Sequence, residues 1–290
     1  MLNCEPTTFE LFLMDPQEYT RMHALETNYW WFAGRRAIIG SLLQEVPQAP
    51  GYAARFLCSA ADVVASPARL LDIGSGTGAN LPLLRAFVGK QGRVMGMDFS
   101  PLALKFAQSH PESQGTSLLQ GDALHLPFPT ATFDVVTMLD VLEHLSDDRR
   151  ALSEVQRVLR PGGVLVWSVP AYQSLWSAHD EALHHFRRYE YHALRRLLRK
   201  SGFSVWRLSF AMSLMPPFAW LWRRLVLPFQ PHRPPHAKRH SEGAVLPTVP
   251  PTFNHALIAY LKFEGRIMKH RPLNFGTSLV GIAVKVGRRQ

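Results

Sequence analysis

Short unbroken apolar runs alternate with stretches whose apolar residues return every third or fourth position through the middle of this chain. The runs Arg69–Ile73, Gly92–Asp98, Ser117–Gln120, Phe133–Leu139, Val164–Val169 and Phe203–Phe210 are read as strands. FDVVTML at 133–139 is rich in β-branched and apolar residues, which predicts a strand covered on both faces. Between the runs, helical spacing selects Ala79–Val88, with Pro82 in its first turn, and Leu102–His110, opened by Ser100 as N-cap and by Pro101. Asp147–Leu159 places Leu152, Val155, Val158 and Leu159 at helical spacing, and Pro161-Gly162-Gly163 is read as its stop. A helix over His192–Ser201 closes at Gly202, another spans Asn254–Lys269, and Gly276–Val286 reads as a last strand. Alternation of this kind predicts an α/β fold with a parallel sheet and right-handed crossovers.

The first strand runs directly into Gly74-Ser75-Gly76-Thr77-Gly78, two residues after Asp72. Glycines let a ligand approach the backbone closely, and the helix that follows offers partial positive charge at its N-terminus. Gly74, Gly76 and Ala79 also satisfy the loose dinucleotide pattern, but Asp72 would meet a pyrophosphate with an unwanted negative charge. An ammonium-bearing ligand suits it better. Asp98 ends the second strand, where a carboxylate can accept from ribose hydroxyls, and Gly121-Asp122-Ala123 ends the third, where an acid and the next amide can read an adenine edge. Past the fourth strand stand Asp140, Glu143 and His144.

Together, DIGSGTG (72–78), MDFS (97–100), GDA (121–123) and FDVVTMLDVLEHL…LRPGG (133–163) resemble the class I S-adenosylmethionine-dependent methyltransferases, particularly their small-molecule, type 11-like branch, over residues 68–210. The resemblance implies a Rossmann-like, seven-stranded, mostly parallel sheet with helices on both faces and the last strand antiparallel beside the fifth. It implies S-adenosyl-L-methionine as cofactor and S-adenosyl-L-homocysteine as product. Gly74, Ser75, Gly76 and Gly78 would then pass its methionine part, with Asp72 near the ammonium end; Asp98 would hold the ribose, Phe99 flank the adenine, Asp122 and Ala123 read its edge, and Leu139 line the floor. Methyl transfer from a sulfonium is an in-line displacement in which alignment of acceptor and methyl can supply about 7–11 kcal/mol.

If the acceptor must lose a proton, His144 is the candidate base, because an imidazole titrates near neutral pH; the alternative is a histidine capping or packing under the next helix. After the fifth strand, Tyr172 and the stretch WSAHDEALHHFRRYE leave the sheet at its ligand-binding edge. Asp180, Glu181, His185, Arg187, Arg188 and Tyr189 resemble the D-E-x-x-x-H-x-R-R-Y stretch of a bacterial subset of the family, which also carries an aromatic and basic N-terminal stretch like Tyr29-Trp30-Trp31-Phe32 with Arg35-Arg36 here. His185 joins His144 as a catalytic candidate. Tyr29, Trp30, Trp31, Arg35, Asp140, Tyr172, His179, Asp180, His184, Arg188 and Tyr189 are candidate acceptor contacts, with a structural network or ordinary core as the competing readings. His179 and His184 are five apart and His184-His185 adjacent, which is not the i, i+4 spacing of a helical zinc site, so no metal is expected.

The chain of 290 residues is divided as an N-terminal helical cap (1–67), a methyltransferase core (68–210), a basic, proline-rich and aromatic insertion (211–276) and a final strand with its tail (277–290). Of the net charge of +10, +11 falls between Arg187 and His240, so the rest of the chain is nearly neutral. That segment, with Phe218, Trp220, Trp222, Phe229 and Arg223-Arg224, suits an acceptor lid or a contact with an anionic membrane surface. The apolar run Leu208–Trp222 is broken by Pro216-Pro217 and is too short to span a membrane. Two cysteines, Cys4 and Cys58, and acids where a signal peptide would be basic predict a cytoplasmic protein, peripheral at the inner face of the membrane. The expected partner is a small or lipid-like acceptor. Basic residues among aromatics also allow an RNA methyltransferase, against which no separate RNA-binding module is seen; a non-catalytic cofactor-binding protein is the third reading, and no oligomeric state follows from the sequence.

Overall fold

A computed structural model describes residues 16–50, 52, 68–110, 113, 115–214 and 249–286. Cys4, Cys58 and the aromatic and basic stretch from 215 to 248 lie outside the described residues.

The elements in chain order are α1 (Pro16–Leu25), α2 (Trp30–Leu43), β1 (Arg69–Ile73), α3 (Leu81–Val88), β2 (Arg93–Asp98), α4 (Pro101–Ser109), β3 (Thr116–Gln120), β4 (Phe133–Leu139), α5 (Asp148–Val158), β5 (Leu159–Pro170), α6 (Ala178–Ala182), α7 (Tyr191–Lys200), β6 (Phe203–Ala211), α8 (Pro251–His270) and β7 (Ser278–Lys285). The seven strands form one sheet in the order β3-β2-β1-β4-β5-β7-β6. β7 runs antiparallel to both β5 and β6, as the family resemblance implies, and the other pairings are parallel, as the strand–helix alternation predicts.

Period-two alternation assigns the strand residues to two cores. Leu71, Val136, Met138, Leu165 and Trp167 face α5 and α7, whereas Leu70, Val135, Val164 and Val166 face α2, α3 and α8. All seven residues of β4 are buried, matching the expectation from FDVVTML. Burying each large apolar side chain contributes about 1.5–3 kcal/mol, so this central strand anchors both layers.

Local signals also explain the helix ends. Ser100 Oγ accepts from the Ala103 amide at 3.2 Å, and Asp147 accepts from the Arg150 amide at 2.9 Å. One expectation changes: Pro161-Gly162-Gly163 lies within β5 rather than before it. Phe133 pairs with Leu159, but Val135 pairs with Val164, so the four residues 160–163 form a bulge opposite Asp134 while the pairing resumes beyond them. Among the described residues, no helix is long and apolar enough to cross a membrane.

Candidate active site

The helices after β1 and β2 pack on one face of the sheet and those after β4 and β5 on the other, so the order reverses between β1 and β4. A crevice necessarily opens at the carboxyl ends of the strands there. It holds a cavity of about 1120 Å³.

One half of the cavity is built by the glycine turn. Gly74 and Gly76 have φ of +69° and +54°; a Cβ on Gly74 would meet Val141 at 2.4 Å, whereas one on Gly76 would enter open space. The turn is held from the next strand. The Met97 carbonyl accepts from the Gly74 and Ser75 amides, and Asp98 Oδ2 accepts from the Gly76 amide at 2.7 Å while Oδ1 accepts from Ser100 at 2.9 Å. Asp98 therefore shapes the turn as well as facing the cavity. Its burial pushes its pKa up. Phe99, Asp122, Ala123 and Leu139 also line this half, and Asp122 accepts from the Leu124 amide at 2.8 Å. Asp72 and Gly78 lie behind the wall. Asp72 Oδ1 accepts from Thr137 Oγ1 at 2.5 Å, Oδ2 is buried without a hydrogen-bond partner among the described residues, and burial raises the pKa to about 7.

The other half gathers residues far apart in sequence. Trp31, Phe32 and Arg35 reach it from α2, Asp140, Glu143 and His144 from the end of β4, and His179, His185 and Arg188 from the segment after β5. Arg35 forms an ion pair with Asp140, and Ser168 Oγ joins them, donating to Asp140 at 2.9 Å. Burial lowers the Arg35 pKa to about 10. Asp180 is fully buried, receiving Arg188 through Nε at 2.7 Å and Nη2 at 2.9 Å and His185 through Nδ1 at 2.9 Å. Burial opposes its charge, but these hydrogen bonds outweigh it and hold the carboxyl well below the usual range. Burial raises Glu143 to about 8.

Several sequence assignments change place. Trp30 packs in the core and Tyr29 packs beside it, so helical spacing splits YWWF and sends only Trp31 and Phe32 to the cavity. Asp180, His184 and Tyr189 do not reach the wall: Asp180 braces the loop from behind, and the buried Tyr189 hydroxyl donates to the Leu142 carbonyl at 3.1 Å and contacts Asp148 at 3.1 Å. Tyr172 turns to the far side, stacked on Phe210 with centroids 5.2 Å apart. The reason for choosing His144 as a base also fails. Burial, reinforced by His185 and His184, lowers its pKa to about 3, leaving a neutral imidazole. Asp140, which lines this half, is held at a φ of +53°.

The residues that sequence reasoning missed form a cover. Glu26 Oε1 contacts His23 Nδ1 at 2.9 Å and His110 Nε2 at 3.2 Å, and Oε2 accepts from Thr77 of the glycine turn. Arg36 donates to the Glu26 and Thr27 carbonyls. No periodicity or motif links positions 84 apart.

Residues 71–167 match the methyltransferase domain family. A demethylmenaquinone methyltransferase of Thermus thermophilus is 41% identical over 103 residues, covering 35% of this chain and 46% of that protein. The chloroplastic 2-methyl-6-phytyl-1,4-hydroquinone methyltransferase 2 of Oryza sativa is 34% identical over 116 residues, 40% of this chain and 33% of that one. The chain thus spans less than half the length of these relatives. A chain of the complex between the Haloferax volcanii Trm112 methyltransferase activator and a methyltransferase superposes with a TM-score of 0.55 at 19% identity, covering 94% of this chain and 96% of that one. The [4+2]-cyclase SpnF superposes with a TM-score of 0.50 at 23% identity over 86% of this chain and 81% of its own. With the seven-stranded order and the glycine turn already in place, the match identifies residues 71–167 as a methyltransferase domain in a chain with the class I S-adenosylmethionine-dependent methyltransferase fold.

Proposed function

We propose that the chain transfers a methyl group from S-adenosyl-L-methionine to a small amphiphilic acceptor of the quinol class. The observation that carries this reading is one continuous cavity with two chemically different halves. The glycine-turn half suits the cofactor: Gly76, at φ +54°, leaves the backbone bare beside open space, and Asp98 and Asp122 stand at neighbouring strand ends. Bound there, the cofactor supplies an electrophilic methyl group on a sulfonium centre. The chain's own work is positioning and exclusion of water. Leu139 supports the floor, Trp31 and Phe32 supply an apolar wall, and the Arg35–Asp140 pair fixes the boundary between the halves.

The quinol class is supported by the names of the relatives and by the apolar walls contributed by Met22, Trp31, Phe32, Leu175 and Leu183. His185, oriented through Nδ1 by Asp180, offers its Nε2 to the acceptor side. A lipid-like acceptor also agrees with docking of the basic 187–240 segment on an anionic membrane surface.

Radiolabelled S-adenosylmethionine offered with demethylated quinols, a metabolite extract and RNA tests the reading. Label in a quinol product supports it. Label in RNA alone overturns the acceptor class, and cofactor binding without turnover on any acceptor overturns methyl transfer, leaving a fold that also carries other chemistry, as in SpnF.

A further inference from the structure

We propose that Glu143, His144 and His185 form a binding site for a divalent transition metal of the zinc class on the acceptor side of the cavity. The nearest ligand atoms of these three side chains lie within 4.8 Å of one another. The sequence spacing of the histidines hid this set, because its members come from two separate segments, the end of β4 and the loop before α7.

Proton placement makes the set unusual. An Asp180 carboxylate can only accept, so His185 Nδ1, at 2.9 Å from Asp180 Oδ1, carries the proton and Nε2 presents a lone pair. A carboxylate behind the distal nitrogen is how metal-binding imidazoles are oriented. A neutral His144 imidazole likewise carries a lone pair on one ring nitrogen. The two rings meet edge to face with centroids 4.6 Å apart. Glu143 completes the arrangement: its Oε2 is buried and has no hydrogen-bond partner among the described residues, in a residue that is 1% exposed. Two imidazole lone pairs and an orphan carboxylate oxygen are a donor set for zinc, cobalt or iron rather than for magnesium or calcium.

Arg35 and Arg188 also face Glu143, but their ion pairs are with Asp140 and Asp180, which offset their charges and leave Glu143 Oε2 unbonded to a cationic side chain. Binding would displace the proton that burial leaves on Glu143, and a divalent ion then held by its carboxylate and two imidazoles keeps a positive charge and an open position, which recognises a hydroxyl or phenolate oxygen. This acceptor role rests on the function proposed above; metal binding itself does not. The other His/Glu group, His23, Glu26 and His110, differs because both Glu26 oxygens are already engaged, Oε1 by the two histidines and Oε2 by Thr77.

Titrating the full chain with cobalt(II) tests the proposal by visible absorption. One equivalent should give the d–d bands of a low-coordinate site; His144→Ala and His185→Ala should abolish them, Asp180→Asn should weaken binding about 10–100-fold, and His23→Ala should leave them unchanged. Calorimetry with S-adenosylhomocysteine on the same samples reports folding, and its failure with retained cobalt bands would strike the cofactor reading alone. Absence of a stoichiometric spectrum in the parent overturns the site. So do bands that survive the isosteric Glu143→Gln, or that disappear only with His23→Ala.

Discussion

Asp98 does two jobs at the scale of one residue: it faces the cavity, and it accepts from the Gly76 and Ser100 amides at 2.7 and 2.9 Å. We predict that Asp98→Ala lowers affinity for S-adenosylhomocysteine in calorimetry and also lowers the urea midpoint, since amides left unpaired cost about 1–3 kcal/mol each. Loss of affinity with unchanged stability would mean that the turn holds itself. Asp72 gives a pH prediction. Its carboxyl titrates near 3.9 in an unfolded chain but is pushed up to about 7 by burial. Between these values the folded state holds the extra proton, so stability is greatest at the acid end and declines as pH rises through the window. At about 1.4 kcal/mol per unit the decline is roughly 4 kcal/mol, and Asp72→Asn should escape it. A variant-minus-parent stability that stays constant from pH 4 to 7 contradicts this. At this scale the sequence exposed which acids stand at strand ends, but not that Asp98 reaches back to Gly76. That depends on β2 lying beside β1, which no local pattern encodes.

Among the elements, α2 and α8 show how distant segments make one wall. A Cβ on Gly34 of α2 would lie 2.1 Å from Leu261 Cδ1 of α8, and one on Gly265 would lie 2.8 Å from Ser41 Oγ. Small residues at both crossings let the helix backbones approach. The start of α2 is also satisfied by α8: Asn254 Oδ1 accepts from the Trp30 amide at 2.8 Å, 224 positions away, while its Nδ2 donates to the Asn28 carbonyl. Gly34→Val should destabilise the chain by about 1–3 kcal/mol through overpacking, and Asn254→Ala by about 0.5–2 kcal/mol through loss of a cap. Urea denaturation checks both. If Gly34→Val is neutral, the helices have room that the structure does not show. The helix at 254–269 was legible from its apolar spacing, and strand positions followed from runs such as FDVVTML. The pairing with α2 was not, because Gly34 is a gap rather than a contact and Asn254 reads as its own helix's beginning. The Pro161-Gly162-Gly163 bulge shows the opposite limit: residues that usually end an element here only interrupt a ladder whose outer pairs are secure.

For the whole molecule, charge is distributed along the chain very unevenly, with +11 between Arg187 and His240. We predict flotation with anionic but not neutral liposomes at low salt, weakened by added salt and by replacing Trp220 and Trp222. Protein that stays in the soluble fraction with both vesicle types would remove the membrane reading. The order of motifs made the parallel half of the sheet legible, since the first four strands each ended on a recognisable acid or turn. The acceptor half was only partly legible: Arg35 and Asp140 were picked out separately, but their ion pair depends on how α2 crosses the sheet.

The bridge from Glu26 to His23, His110 and Thr77 carries a consequence for timing. On the function proposed above, a donor molecule seated on the glycine turn would share its cavity with Glu26, which is bonded to Thr77 of that turn, so its release would be coupled to loosening of that contact. Such opening, rather than bond formation, governs many turnover rates. Rapid mixing should therefore give a pre-steady-state burst of methylated acceptor followed by a slower linear phase. Glu26→Ala, which removes the three side-chain attachments to His23, His110 and Thr77 together, should shrink the burst by quickening the later phase while leaving the first turnover nearly as fast. A linear trace from the outset in the parent would place the slow step in the chemistry instead.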